Sequence, residues 1–246
     1  MRILVFQHLA VETPGVFLDL WKDEGHEWRT IELDEGEPIP DLEAYDLLAV
    51  MGGPMDVWQE EIHPWLAPEK AAIRRWVKDL DRPYLGICLG HQLLAEALGG
   101  KVSLMNKPEV GLAHVKLTAG GQRDRLLAGL PSPIETLQWH GAEVSQLPVG
   151  AEVLAGNAAC PVQAIRYGRH AYGFQYHMEI NAGTVADWER IPEYKASLEK
   201  ALGAEARHLA GRVVPKLPAF RNVAFIIGAN LSAIASDLSP QQSLYR

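Results

Sequence analysis

The chain has 246 residues, of which 48% are hydrophobic and 22% charged, which suffices for a large folded domain and excludes a disordered chain. Its 23 Lys and Arg residues against 31 Asp and Glu residues give a net charge of −8, which disfavours binding to nucleic acid or to an anionic membrane. The two cysteines, Cys88 and Cys160, are too few for a disulfide scaffold or a four-thiolate zinc site and favour a reducing compartment.

The N-terminal sequence MRILVFQH does not predict a signal peptide. Its apolar run, residues 3–6, is shorter than the apolar region of about 7–15 residues that such a peptide carries. No stretch approaches the roughly 18 consecutive apolar residues of a membrane span. We therefore expect a cytoplasmic protein with no membrane partner.

Short apolar runs alternate with helical patterns through the first hundred residues. Strands are predicted at residues 3–6, 28–33, 46–51 and 83–87, and helices at residues 14–24, 68–80 and 89–98. Strands that alternate with helices pair in parallel, because each helix carries the chain back across a face of the sheet. This order predicts an α/β fold with a doubly wound, mostly parallel sheet flanked by helices.

The second half of the chain changes from strands to helices. Strands are predicted at residues 101–105, 112–117, 134–139, 151–155, 162–167 and 171–176, and helices at residues 193–210 and 223–235. The last two strands flank Gly168 and are expected to form a hairpin. We therefore expect a main domain over residues 1–190 and a C-terminal helical extension over residues 191–246.

The segment around Cys88 has the pattern of a sharp turn between a strand and a helix. It reads GICLGHQ over residues 86–92, with a glycine two residues to either side of the cysteine. Glycines allow close backbone approach, and the N-terminus of the following helix favours a thiolate. A small buried cysteine is the structural alternative, but this elbow pattern indicates a nucleophile, with the amide of Leu89 facing a developing oxyanion.

A base for such a thiol is predicted in the segment GFQYHME, residues 173–179. Residues two apart on a strand point to one face, so Glu179 can orient the imidazole of His177 as the third member of a catalytic triad does. Taken alone, a partly buried histidine with a chance acidic neighbour is the alternative.

A glycine turn follows the third predicted strand. The sequence Gly52-Gly53-Pro54 stands at its carboxyl end, where backbone N–H groups can point at a ligand. A tight turn without a ligand is the structural alternative.

These three features together resemble the class I (triad) glutamine amidotransferases. That family combines a Gly-x-Cys-x-Gly-x-Gln elbow, an upstream glycine-rich oxyanion loop and a downstream His-x-Glu pair, and all three occur here in the same order over roughly residues 1–185. The sequences GGPM at residues 52–55 and QWHG at residues 138–141 are similar to the GMP-synthase-like stand-alone amidotransferase domains. The resemblance implies that residues 1–190 form the catalytic domain.

The resemblance also implies a role for each matching residue. Cys88 would be the nucleophile, His177 the general base and acid, and Glu179 its orienting partner. The amides of Leu89 and of Gly53 (or Gly52) would form the oxyanion hole. Gln92 would bind the amino-acid end of the substrate, and His140 would line the substrate pocket or serve as a structural loop histidine. We expect no metal and no cofactor, and no P-loop for ATP is present.

Three functions are compatible with these residues. The first is a glutaminase that passes ammonia to a separate synthetase subunit, since the sequence contains no synthetase domain. The second is an autonomous hydrolase or transferase of γ-glutamyl amides or peptides. The third is an inactive regulatory homologue, against which the intact triad counts.

Overall fold

The strands and helices follow the predicted alternation. A computed structural model describes residues 1–238. The strands are β1 (Arg2–Gln7), β2 (Glu27–Glu32), β3 (Leu47–Val50), β4 (Tyr84–Ile87), β5 (Lys101–Leu117), β6 (Ile134–Gln146), β7 (Ala151–Gly156), β8 (Ala164–Tyr167) and β9 (Ala171–Phe174). The α-helices are α1 (Phe17–Asp23), α2 (Leu66–Arg74), α3 (Leu89–Ala97), α4 (Thr184–Trp188), α5 (Pro192–Leu202), α6 (Leu209–Val213) and α7 (Leu217–Leu238).

All nine strands form one mixed sheet in the order β2-β1-β3-β4-β9-β8-β7-β5-β6. The half from β2 to β9 is parallel, and the pairs from β9 to β6 are antiparallel. The carboxyl ends of β1, β3 and β4 therefore meet at one edge, where His8, Gly52 and Cys88 follow their strands. The predicted hairpin around Gly168 is present as β8 and β9.

Helices cover both faces of the parallel half, as predicted for a doubly wound sheet. Alternate residues of β1 enter different apolar layers, since Ile3 and Val5 pack with α1 and α7 whereas Leu4 and Phe6 pack with α2 and α3. This alternation follows from the two-residue period of a strand. The near-continuous apolar sequence of β1 is thereby explained, because both of its faces are buried.

Several predicted elements differ from the structure in their bounds. The helix predicted at residues 193–210 is divided into α5, a 3₁₀ segment and α6, because Gly203 takes a φ of 54° directly after α5. The strands predicted at residues 101–105 and 112–117 are one irregular strand, β5. The helix predicted at residues 68–80 ends in a π-helical turn, Arg75–Asp79.

The C-terminal helices form a third apolar layer against β6. Trp139 of β6 packs with Trp188 of α4 and with Tyr194 and Leu198 of α5. The helical stretch Pro192–Leu238 is long and apolar enough to cross a membrane by length and composition, which was not expected from the sequence. Helices in the core of a folded domain pass the same test, and 39% of the apolar 18-residue window is buried in the structure of residues 1–238.

Candidate active site

Cys88 stands at the junction of β4 and α3 in a backbone conformation that few residues adopt. Its φ is 51° and its ψ is −103°, which is strained for a residue that carries a side chain. A Cβ on Gly86 would lie 2.5 Å from the carbonyl oxygen of Gly90, and a Cβ on Gly90 would lie 2.1 Å from that of Val50. Both glycines are therefore required by close backbone packing around the turn.

His177 and Glu179 form a buried pair. Nδ1 of His177 lies 2.7 Å from Oε1 of Glu179, and the second carboxylate oxygen accepts from the N–H of Met178 at 2.9 Å. Since a carboxylate only accepts, Nδ1 carries a proton and Nε2 is left for proton transfer. The strand β9 ends at Phe174, so strand alternation does not place this pair. Reciprocal backbone hydrogen bonds with Leu137 of β6 hold His177 instead.

The surroundings of His177 favour its protonated form. Burial acts to lower the pKa of His177, but Glu179 and Cys88 outweigh burial and raise that pKa well above its usual value. Trp188 packs against the imidazole with ring centroids 4.6 Å apart and covers one side of the ring. An imidazolium beside a cysteine stabilises the thiolate, so the arrangement suits a nucleophile and its proton donor.

Two glutamines connect Cys88 to the wall of the pocket. Gln175 donates its amide to Cys88 Sγ at 3.7 Å, and its Oε1 accepts from Nε2 of Gln92 at 3.0 Å. Gln92 also donates to the carbonyl of Ala142 at 3.1 Å. Its amide nitrogen is thus engaged within the protein, which leaves Oε1 for the predicted contact with substrate. Gln175 was not predicted as a site residue, although it lies two residues before His177.

The glycine turn after β3 lies beside the elbow. The N–H of Gly90 donates to the carbonyl of Met51 at 3.1 Å, which ties the start of α3 to this turn. Within residues 1–238, the N–H groups of Gly53 and Leu89 meet no acceptor, and both residues line the pocket that contains Cys88. Two N–H groups beside a thiol are what stabilisation of an oxyanion requires.

The pocket above Cys88 has a volume of about 200 Å³ and draws on both halves of the chain. The turn after β3 and the β6 segment around His140 form two of its walls. The helix α5 forms a third wall with Glu193, Tyr194 and Ser197, and the indole N–H of Trp139 donates to Ser197 Oγ at 2.9 Å. The site therefore spans the predicted boundary at residue 190, and the division into two domains stays a prediction.

Three further residues have titratable side chains that are either hydrogen-bonded locally or deeply buried. His140 lines the pocket, but its Nδ1 faces the carbonyl of Ala142 at 2.9 Å and its Nε2 faces Oε1 of Gln138 at 3.1 Å. Burial lowers the pKa of His91, a residue of α3, to about 3, which keeps its side chain neutral. Burial raises the pKa of Cys160 to about 12, so its thiol is unsuited to nucleophilic chemistry.

The loop after β1 brings two further buried residues to the site. His8 is hydrogen-bonded to Gly52. Glu12 accepts a hydrogen bond from the hydroxyl of Tyr194 on α5. Burial raises the pKa of Glu12, with the charge of His177 acting in the opposite direction. Neither residue was predicted from the sequence, because nothing in the local pattern after β1 marks them. The one available signal was an acidic residue (Glu12) shortly after the buried strand β1.

Comparison with known proteins agrees with this fold. The family described as Glutamine amidotransferase class-I matches residues 23–187. A solved structure of a glutamine amidotransferase from Thermotoga maritima superposes with a TM-score of 0.83 at 27% identity, and covers 94% of this chain and 98% of its own. The shared architecture extends beyond the family match and includes the C-terminal helices.

Three curated relatives indicate the range of functions among similar sequences. The glutamine amidotransferase-like protein YfeJ of Salmonella typhimurium is 33% identical over 75% of this chain and 78% of its own. The glutamine-hydrolyzing GMP synthase subunit of Sulfolobus acidocaldarius is 35% identical over 61% and 76%, respectively. Gamma-glutamyl peptidase 4 of Arabidopsis thaliana is 30% identical over 70% of each chain.

Proposed function

Because the chain belongs to the class I glutamine amidotransferase family, we propose that it hydrolyses the side-chain amide of glutamine or of another γ-glutamyl compound. The observation that carries the proposal is the strained elbow at Cys88, which shares a buried site with the 2.7 Å pair of His177 and Glu179. The triad of Cys88, His177 and Glu179 is part of the proposal.

The proposed reaction proceeds through a thioester. The thiolate of Cys88 attacks the γ-amide carbon, and the carbonyl oxygen becomes an oxyanion held by the amides of Gly53 and Leu89. The imidazolium of His177 gives its proton to the leaving nitrogen as the C–N bond breaks, which releases ammonia or an amine. The neutral His177 then takes a proton from water as the water oxygen attacks the γ-glutamyl thioester. Glutamate is released, and the thiolate and the imidazolium are restored.

Two uses of this chemistry are proposed. In the first, the ammonia passes to a separate synthetase protein, and the similarity to a glutamine-hydrolyzing GMP synthase subunit supports this use. In the second, the protein acts alone on γ-glutamyl amides or peptides. The similarity to a γ-glutamyl peptidase and the wall that this chain's own α5 adds to the pocket support the second use. Both use glutamine-like substrates and need no nucleic acid, membrane or metal. The two free cysteines, Cys88 and Cys160, support a cytoplasmic location.

The test is glutamate release by the purified protein from glutamine, γ-glutamyl peptides and γ-glutamyl alkylamides. Cys88→Ala is expected to lower turnover by about 10³-fold or more, the scale for loss of one member of a catalytic unit. The matched variant Cys160→Ala is expected to stay within a few fold. Iodoacetamide is expected to label Cys88 first. Preferential labelling of Cys160, or full activity of Cys88→Ala, would contradict the proposal.

The same assay separates the two uses. Turnover of γ-glutamyl peptides or alkylamides well above that of glutamine supports independent action. Negligible turnover of every substrate, restored by a synthetase that co-purifies from the native host, supports the partner-dependent use and excludes the other.

A further inference from the structure

His8 is fully buried at the carboxyl end of β1, between the glycine turn and α2. Its Nδ1 lies 2.8 Å from the carbonyl oxygen of Gly52, and its Nε2 lies 2.9 Å from Oε1 of Glu69. Neither side chain is exposed to solvent. A carbonyl and a carboxylate can only accept hydrogen bonds, so both ring nitrogens of His8 donate and the ring is an imidazolium.

This buried charge is compensated by its partners. Burial acts to lower the pKa of His8, but the charge and hydrogen bond of Glu69 and the bond to Gly52 raise it above the usual value. Trp65 stacks on the imidazole with ring centroids 5.2 Å apart. The ring is thus held on one face and at both nitrogens, and its donor to Gly52 is fixed in direction.

The hydrogen bond from His8 sets the orientation of the Gly52–Gly53 peptide. A trans peptide is planar, with its C=O and its N–H pointing in opposite directions. When the carbonyl of Gly52 is held toward His8, the N–H of Gly53 must point to the other side of the turn. Gly53 lines the pocket with Cys88 and Leu89, and the N–H of Gly53 has no acceptor within residues 1–238.

The turn cannot supply this orientation by itself. A Cβ on Gly52 would lie 2.4 Å from Oε2 of Glu12, and a Cβ on Gly53 would lie 2.5 Å from Sδ of Met55. Glycine at both positions avoids this crowding against the ends of two flexible side chains. A peptide between two glycines rotates with little steric cost, so a fixed carbonyl partner is what can keep one orientation populated.

We propose that His8, charged and aimed by Glu69, locks the Gly52–Gly53 peptide with its N–H toward Cys88. The inference rests on the proposed function, because it assigns the Gly53 N–H to the oxyanion of the thioester reaction. His8 and Glu69 touch neither the thiol nor the substrate in this role. They are positioning residues for one half of the oxyanion hole.

Two amide substitutions each keep one of the two hydrogen bonds of His8 and remove the other. In His8→Asn the side-chain nitrogen takes the place of Nδ1 and can still donate to Gly52, whereas Glu69 loses its partner. In His8→Gln the nitrogen takes the place of Nε2 and can still reach Glu69, whereas Gly52 loses its donor. The lock predicts that His8→Gln lowers kcat by about 10²-fold or more, the scale for loss of an oxyanion donor. It predicts that His8→Asn is the less stable but the more active of the two.

Both variants are measured for glutamate release, for urea unfolding and for the rate of Cys88 alkylation by iodoacetamide. Alkylation forms no oxyanion, so its rate is expected to match the parent in both variants, while kcat falls further in His8→Gln than in His8→Asn. A merely structural role would make activity follow stability instead. If His8→Asn does not fold, the double variant His8→Asn/Glu69→Gln, which removes the unpaired buried charge, takes its place.

The outcomes separate the two levels of the proposal. If the Cys88→Ala variant still releases glutamate at the rate of the parent protein, the proposed function is refuted. A parent that depends on Cys88, together with a His8→Gln variant whose kcat stays within a few fold of the parent, refutes the lock alone. Equal losses of kcat in His8→Gln and His8→Asn also refute it.

Discussion

Replacing Glu179 by glutamine removes the charge that stabilises the imidazolium of His177 while keeping the shape of the side chain. The N–H of Met178 donates to the second carboxylate oxygen at 2.9 Å, so the amide oxygen of the glutamine is expected to turn toward Met178. Its NH₂ group then faces Nδ1 of His177 and favours the tautomer with the proton on Nε2. The substitution therefore perturbs both the charge and the proton position of the base.

The size of the charge effect follows from the burial of the pair. His177 and Glu179 are 2% and 3% exposed, so solvent screens them little. Two unit charges about 4 Å apart interact by about 4 kcal/mol at an effective dielectric constant of ~20, which corresponds to about 3 pKa units as an upper limit. Measured shifts beside an opposite charge are about 1–3 units. We therefore expect the pKa of His177 to fall when Glu179 is replaced by glutamine.

The direction of the pH effect follows from the raised pKa of His177. The imidazolium is present below that pKa and is lost as the pH rises through it, so the parent keeps its proton donor at neutral pH. In Glu179→Gln the alkaline limb of kcat/KM moves to lower pH. Above the pKa of a required acid, the rate falls about tenfold for each pH unit. The loss of activity in Glu179→Gln is therefore expected to be large at pH 8 and smallest near pH 6.

The assay is the pH profile of glutamate release by the parent, by Glu179→Gln and by a control, Glu199→Gln. Glu199 is an exposed carboxylate on α5, so its loss changes the net charge equally without touching His177. We expect the control profile to coincide with that of the parent. An alkaline limb in Glu179→Gln at the same pH as in the parent would show that the 2.7 Å contact does not set the charge of His177.

Three further predictions concern single contacts. His177→Ala is expected to lower kcat nearly as far as loss of the thiol, about 10³-fold, in the same glutamate assay, and unchanged activity would remove it from the triad. Tyr194→Phe leaves the buried Glu12 without its donor and is expected to lower the free energy of unfolding by about 1–3 kcal/mol in urea titrations; equal stability would contradict the buried hydrogen bond. Gly90→Ala puts a methyl group 2.1 Å from the carbonyl oxygen of Val50 and is expected to cost about 1–3 kcal/mol and most of the activity, so a fully active, equally stable variant would contradict the packing at the elbow.

The elbow could be predicted because its requirements are local. A strand, a helix and two glycines within nine residues determine the turn at Cys88, and each leaves a signal in the sequence. The pair of His177 and Glu179 was predicted from strand alternation, but the strand ends at Phe174. The two side chains meet because a backbone bridge to Leu137 holds the segment, and such a bridge has no local pattern.

Other parts of the site could not be predicted, because they depend on contacts between distant segments. Glu12 and Tyr194 are separated by 182 positions, and His8 meets Glu69 across 61. Each of these residues is ordinary in its own local sequence. These residues come together because of the order of the strands in the sheet. The alternation of apolar runs indicates the class of sheet but does not tell which loops lie next to one another.

The position of β9 determines when the candidate site can be completed during synthesis of the chain. This strand is the last one within residues 1–238, yet it pairs with both β4 and β8 in the interior of the sheet. A nascent chain that ends before residue 171 lacks His177, α5 and β9, one of the two strands that flank β4 in the sheet. The candidate site can therefore be completed only after β9 has been made, because His177 and α5 follow this strand in the chain.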